Sequence, residues 1–427
     1  MKKFFDLMDK YFVPVAAKVG SQRHLVAIRD GFVTISPLIM AGAFATLINN
    51  IGFKPYQNFM DWLLPSNWKD FGGGIWAGSL AIMAILASCT IAYHLAKGYG
   101  KDGLAAAMLS LGSTMLLYTP NKDGSIPATY LGGSGLFVSI IVALLVTEIF
   151  VKLAGNEKLV IKMPAGVPPA VSKSFAALFP SIIALSIVAL VKLLLGYVGI
   201  ENIHEALFTV IQAPLQNMVG SVWGMLALIL IQQLLWFFGL HGSNILAPII
   251  SAVLLPLTQA NMAAVQAGQT PEHIVNSQFL DSFVNMGGSG TTIALIIAIY
   301  LVGRKSKTQM MIAKLGTAPG AFNINEPVIF GMPLVLNATY FIPFVVAPLV
   351  SGTIAYVATL IGIVPKVSIL ASWTTPPVLG AWLSTNSIMG ALVAIVCIVV
   401  SVFIYIPFVR MATRQELAME AKENQEA

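Results

Sequence analysis

Charged residues are scarce in this chain. Only 10% of its 427 residues are Asp, Glu, Lys or Arg, while 57% are hydrophobic and the mean hydropathy is +0.82. Ordinary soluble domains carry about 25% charged residues. That deficit excludes a soluble enzyme, a nucleic-acid-binding domain and a disordered chain. Cysteine is nearly absent: Cys89 and Cys397 both sit in apolar runs. They read as small core residues, with no disulfide framework and no zinc spacing. No nucleotide-binding loop, metal-ligand cluster or Arg-rich helix is present, so ATP-driven pumping, a bound metal or cofactor, and voltage gating have no support. A cleavable signal peptide is missing too. The first 30 residues hold Lys2, Lys3, Lys10, Lys18, Arg23 and Arg29 with no continuous apolar core. The stretch Phe4–Val19 reads instead as a surface-lying amphipathic helix.

What is there is a set of long apolar runs, the mark of an all-α polytopic membrane protein. Candidate spans are 31–52, 75–97, 103–119, 131–153, 174–199, 219–239, 284–303, 337–363 and 388–409. Three further apolar stretches, 242–257, 316–335 and 366–386, are interrupted by Gly and Pro. The net charge of +6 is read as loop charge that sets topology. The N-terminus, the 98–102 turn, the 154–173 loop, the 304–314 loop and the start of the tail (Arg410, Arg414) are basic, which assigns them and both termini to the cytoplasm. The 53–74, 120–130 and 200–218 segments lack that excess and face out. Parity then requires 242–257 to cross as a short span, while 316–335 and 366–386 enter and leave on one side. The expectation is ten crossings plus two re-entrant hairpins. The weak link in this count is 242–257, which becomes a hairpin if another stretch crosses.

Segment 201–214 reads as an amphipathic interfacial helix, with Ile203, Leu207, Val210 and Ile211 at helical spacing. The chain thus divides into a first membrane half (1–199), a linker (200–218), a second membrane half (219–410) and a tail (411–427) carrying Glu416, Glu420, Glu423 and Glu426.

The polar punctuation lies in the second half. Irregular backbone at membrane depth is tolerated only inside protein or along a wet cavity, and broken helices there commonly build transporter sites. The run from Phe322 to Pro333 contains Asn323, Asn325 and Glu326. Gly316, Pro319 and Gly320 are expected to break the chain before it, and Pro327 to turn Glu326 away from helix. The result is two amides and a carboxylate at a re-entrant tip. Burying that charge at the bilayer centre costs roughly 2.5–3.5 kcal/mol, which a wet cavity or a partner must offset. A second run, Trp236 to Asn244, sets His241 between two glycines. Imidazole can both donate and accept hydrogen bonds, as a sugar hydroxyl requires; a core histidine bonded to a carbonyl is the plain alternative. A third run holds Trp373, followed by Pro376-Pro377, and then Trp382. An indole matches the apolar face of a sugar ring, whereas interfacial anchoring explains Trp382 equally well. Lys192, Glu148, His94, Gln232 and Gln233 read as snorkelling or interhelical residues.

His24-Leu25-Val26-Ala27-Ile28-Arg29-Asp30-Gly31-Phe32, the stretch from Trp236 to Gly242, Asp281-Ser282-Phe283 with Gly287-Gly288-Ser289-Gly290, Asn325-Glu326-Pro327 and Trp373-Thr374 together resemble enzyme IIC. Enzyme IIC is the membrane permease of the bacterial phosphotransferase system; the likeness is to its lactose/cellobiose/diacetylchitobiose branch and covers nearly the whole chain. The resemblance implies a homodimer of ten-span subunits in the bacterial cell membrane, with the first half at the dimer contact and the second half holding the sugar. It implies import of a β-linked disaccharide, phosphorylated on its 6-hydroxyl by a cysteine-phosphate on a separate IIB protein, with IIA, HPr and enzyme I upstream. By similarity, Glu326 and His241 map to the carboxylate and imidazole near that hydroxyl, and Trp373 to a site aromatic. Asn323, Asn325, Asn244 and Trp382 complete the expected binding set. Neither cysteine has the polar setting of a phosphocysteine, which fits a donor in trans. The rival is a proton- or sodium-coupled sugar transporter using Glu326 as its coupling site.

Overall fold

The computed structural model describes residues 8–51, 54–159, 161, 163–164, 166–332 and 334–426. Lys2, Lys3, Phe4, Lys162 and Pro333 lie outside the described residues. Among the described residues every regular element is a helix. Seven helices are long and apolar enough to cross a membrane, from Arg23–Asn49 to Ile388–Met419, and a bent pair raises the number to eight. Gly103–Leu117 and Ser289–Val302 are shorter apolar helices.

Helix starts follow the sequence chemistry. Side chains of Asp102, Asn202, Ser221, Ser306 and Asn337 accept hydrogen bonds from the first free N–H groups of the helices they precede. Prolines stop fewer helices than expected. Gly242–Gln266 is one apolar stretch that continues through Pro248 and Pro256, with a wide π turn at Ile250–Leu254 just ahead of Pro256. The stretch expected to cross over 242–257 therefore runs on to Gln266. Lys307–Ala321 likewise continues through Gly316 and Pro319. Gly316 is a packing contact rather than a breaker, since a Cβ there would overlap the Val328 side chain.

The amphipathic linker and the next span are Ile203–Val219 and Val222–Phe237, bent by 72° at Gly220-Ser221. The last helix, Ile388–Glu426, runs on through the acidic tail. Glu416 on that tail accepts a 2.5 Å bond from the Ser306 hydroxyl, fastening the tail to the 304–306 turn.

Buried apolar side chains form three clusters. One is built mainly by residues 27–203, around Met83, Ile91, Leu136 and Phe150. The other two fill the second half, around Phe279 and Phe283 and around Ile296, Phe344 and Tyr405. The N-terminal segment does not lie wholly on the surface. Ala16 is buried in a second-half cluster, Phe12 packs against Phe238 at 6.1 Å, and Gly20 abuts Ile245.

Polar side chains within the first half are tied down. Ser88 bonds Ser110 and Thr114. Glu148 takes bonds from His24 at 2.9 Å and Tyr99 at 2.5 Å rather than pairing with Lys152. Lys192 donates to the carbonyls of Leu116 and Tyr118, closing the C-terminus of Gly103–Leu117 instead of reaching outward.

Candidate functional site

Four irregular segments of the second half converge. The first is the break between Val222–Phe237 and Gly242–Ile249, which carries His241. Its ring caps the second of these helices: Nδ1 accepts from the Asn244 N–H at 3.3 Å. That contact leaves Nε2 to carry the proton of the neutral ring. Nε2 lies 3.7 Å from Glu326 Oε1. Both side chains are about half accessible, 41% and 45%, so the pair can be reached from outside and is not sealed in the core. The Trp236 ring lies 4.2 Å from the imidazole, centre to centre, and walls its other side.

The second segment is the glycine loop 287–290. Gly287, Gly288 and Gly290 all have positive φ, at 76°, 96° and 80°. Only glycine adopts these values readily, and a Cβ on Gly288 would also overlap the Asn325 side chain. The third is the tip 322–325, between Lys307–Ala321 and Glu326–Gly331. Pro327 occupies the first turn of that short helix, where its missing N–H costs nothing, so Glu326 begins a helix instead of being turned out of one. The fourth is 372–376, ahead of Pro377–Thr385.

Asn323 joins three of these segments. It sits in the left-handed region at φ 63°. Its Oδ1 accepts from the Gly287 N–H at 2.8 Å, and its Nδ2 donates to the carbonyls of Trp373 (2.6 Å) and Thr375 (2.9 Å). Asn325 is buried at 4% exposure and donates to the Ser289 carbonyl at 2.7 Å. Trp373 is 53% exposed with its backbone held by Asn323. Asn244 is exposed at the rim. Trp382 stands on Pro377–Thr385, 39% exposed, and makes none of the hydrogen bonds that unite the other segments.

Sequence reasoning passed over a polar network behind this surface. Gln232 Nε2 is within 2.9 Å of both Asn285 Oδ1 and Ser289 Oγ and 3.3 Å of Ser243 Oγ, which also receives the Trp236 indole N–H at 3.4 Å. Asn285 and Ser289 flank the two glycines 287 and 288, and that juxtaposition was the available signal. Gln233, one residue on, is fully buried without a partner among the described residues.

The arrangement suits a neutral polyol. A hydroxyl oxygen at about 2.8 Å from both Nε2 and Oε1 could accept from the imidazole and donate to the carboxylate. The exposed indole of Trp373, whose backbone carbonyl Asn323 ties to the same tip, offers a ring-sized apolar face. Among the described residues no three His, Cys, Asp or Glu side chains cluster so as to hold a metal ion.

Comparison with known proteins bears on the reading. The family described as Phosphotransferase system, EIIC, matches residues 29–348. The lichenan permease IIC component of Bacillus subtilis (strain 168) is 37% identical, over 98% of this chain and 96% of its own. The cellobiose-specific EIIC component of Geobacillus stearothermophilus is 35% identical over the same shares, 98% and 96%. The crystal structure of the transporter ChbC, the IIC component from the N,N'-diacetylchitobiose-specific phosphotransferase system, superposes with a TM-score of 0.93 at 36% identity, covering 97% of this chain and 99% of that one.

Proposed function

The chain belongs to the phosphotransferase system EIIC family and is a membrane sugar permease of that system; from that premise we propose that it imports a β-linked disaccharide of the cellobiose or diacetylchitobiose type and presents its 6-hydroxyl to a phosphorylated IIB protein. The observation that carries this reading is the His241–Glu326 pair, 3.7 Å apart and about half accessible, with the Trp236 indole against the imidazole. The relatives named for lichenan, cellobiose and diacetylchitobiose support the sugar class.

In this proposal the sugar ring lies against Trp373, with Asn244 and Trp382 at the rim. The 6-hydroxyl bridges the pair, accepting from His241 Nε2 and donating to Glu326. As the hydroxyl oxygen attacks the phosphorus of the IIB cysteine-phosphate, an O–P bond forms and the S–P bond breaks. The thiolate leaves on IIB, and Glu326 takes the hydroxyl proton. We assign Asn323 and Asn325 to the frame rather than to the sugar. Positioning is the main catalytic contribution. Import is made irreversible because the anionic product cannot recross an apolar path.

We further propose ten crossings with both termini cytoplasmic, two re-entrant hairpins at 316–335 and 366–386, and a homodimer formed through the first half. The eight long or paired spans and two shorter apolar helices are compatible with that count. Nothing in the comparisons favours ion coupling. The test is uptake of labelled cellobiose or diacetylchitobiose into proteoliposomes containing the purified chain. We expect accumulation as the 6-phosphate only when phosphorylated IIB is present on the cytoplasmic side. Uncoupler-sensitive accumulation of unmodified sugar without IIB would overturn the reading.

A further inference from the structure

Away from the sugar site, four helix ends of the first half meet around a cavity of about 360 Å³. Lys97 is in the last turn of Met83–Gly98, Lys101 and Asp102 precede Gly103–Leu117, Ala154 ends Leu136–Ala154, and Lys173 is the fifth residue of Pro169–Tyr197. All three lysines line the cavity, over an apolar floor of Phe150, Ala154, Ala176 and Ala177.

The charges there are not balanced. Asp102 is the one acid in the lining, and its carboxylate already accepts from the N–H groups of Leu104 and Ala105 at 2.9 and 3.1 Å. No ion pair with any of the three lysines occurs among the described residues. Lys101 is held in place by the Ala154 carbonyl at 3.4 Å. Lys173, the fifth residue of a helix of 29 residues, stands near its positive end. Three lysines against one acid leave the lining with an excess of positive charge that an anion would neutralise.

We propose that this cleft binds the phosphate headgroup of an anionic phospholipid from the cytoplasmic leaflet. Two observations favour a lipid over a free anion. The lysines belong to the basic, inward-facing loops, and basic pockets between helix ends on that side suit anionic headgroups. The helix carrying Lys173 is also the least covered of the long apolar helices, with only 17% of its apolar window buried. The cleft therefore adjoins apolar helix surface that the single chain leaves uncovered, which suits a headgroup carrying acyl chains better than a free anion.

The experiment is native mass spectrometry of the full-length protein in detergent, titrated with phosphatidylglycerol or phosphatidylcholine. Phosphatidylglycerol should be retained at least tenfold more tightly than phosphatidylcholine. That preference should collapse in K97Q/K101Q/K173Q and persist in K305Q/K307Q, which removes two inner lysines elsewhere. A second readout needs no variant: phosphatidylglycerol should slow acetylation of Lys97, Lys101 and Lys173 relative to Lys305 and Lys307, and inorganic phosphate should not. Equal retention of the two lipids, an unchanged preference in the cleft variant, or equal protection by inorganic phosphate would overturn the proposal.

Discussion

Replacing Asn323 separates a residue that frames the site from one that touches sugar. Asn323→Ala removes three hydrogen bonds, to the Gly287 N–H and to the carbonyls of Trp373 and Thr375. At about 0.5–1.5 kcal/mol net for each bond, the loss is about 1.5–4.5 kcal/mol. Alanine must also hold φ 63°, which costs it roughly 1–2 kcal/mol relative to glycine. Asn323→Gly loses the same bonds but escapes the second cost. The prediction is therefore an ordered pair: both variants melt lower than the parent, and alanine lies below glycine. Sugar affinity should follow the same order. At 1.4 kcal/mol per tenfold, about 1.5–4.5 kcal/mol sets an upper bound of about 10- to 1,600-fold, reached only if the whole loss falls on the bound state. The assay is thermal unfolding alongside cellobiose titration of the purified protein. If Asn323 instead contacts the sugar directly, both variants lose affinity and keep the parental melting temperature. Glycine falling below alanine would refute the backbone argument.

Other perturbations test other parts of the site. Glu326→Gln keeps the shape but removes the proton acceptor, so IIB-dependent phosphorylation should fall by about 10²–10⁴-fold with less effect on melting; parental uptake by this variant contradicts the assignment. Trp373→Ala should weaken sugar binding by about 0.5–1.5 kcal/mol beyond the lost contact area, read by equilibrium titration. Gly288→Ala forces a Cβ into Asn325 at φ 96° and should lower both melting temperature and uptake. Charge reversal at Lys305 and Lys307 should raise the IIB concentration needed for half-maximal phosphorylation if that basic loop docks the donor; an unchanged value limits those lysines to setting topology.

The sequence made the polar positions legible and left their partners hidden. Glu326 and His241 stood out because a carboxylate and an imidazole amid apolar residues are costly, and that cost can be read from neighbours in the chain. Asn323 stood out for the same reason, yet its bonds run to residues 287, 373 and 375. No local pattern announces pairings across 36 to 52 residues. Gln232 reads in sequence as an interhelical residue, yet its bonds run to Asn285 and Ser289, on either side of Gly287 and Gly288. The proline readings failed for a related reason. A proline in an apolar helix frees one carbonyl, and whether the helix survives depends on what answers that carbonyl. At Pro256 a wide turn just ahead accommodates the change, and at Pro319 the helix is already within a turn of its end. Gly316 carries the argument furthest. In sequence it reads as a break; in the fold it is where Lys307–Ala321 meets Val328 of Glu326–Gly331, so a Cβ there would press on the short helix that Glu326 begins.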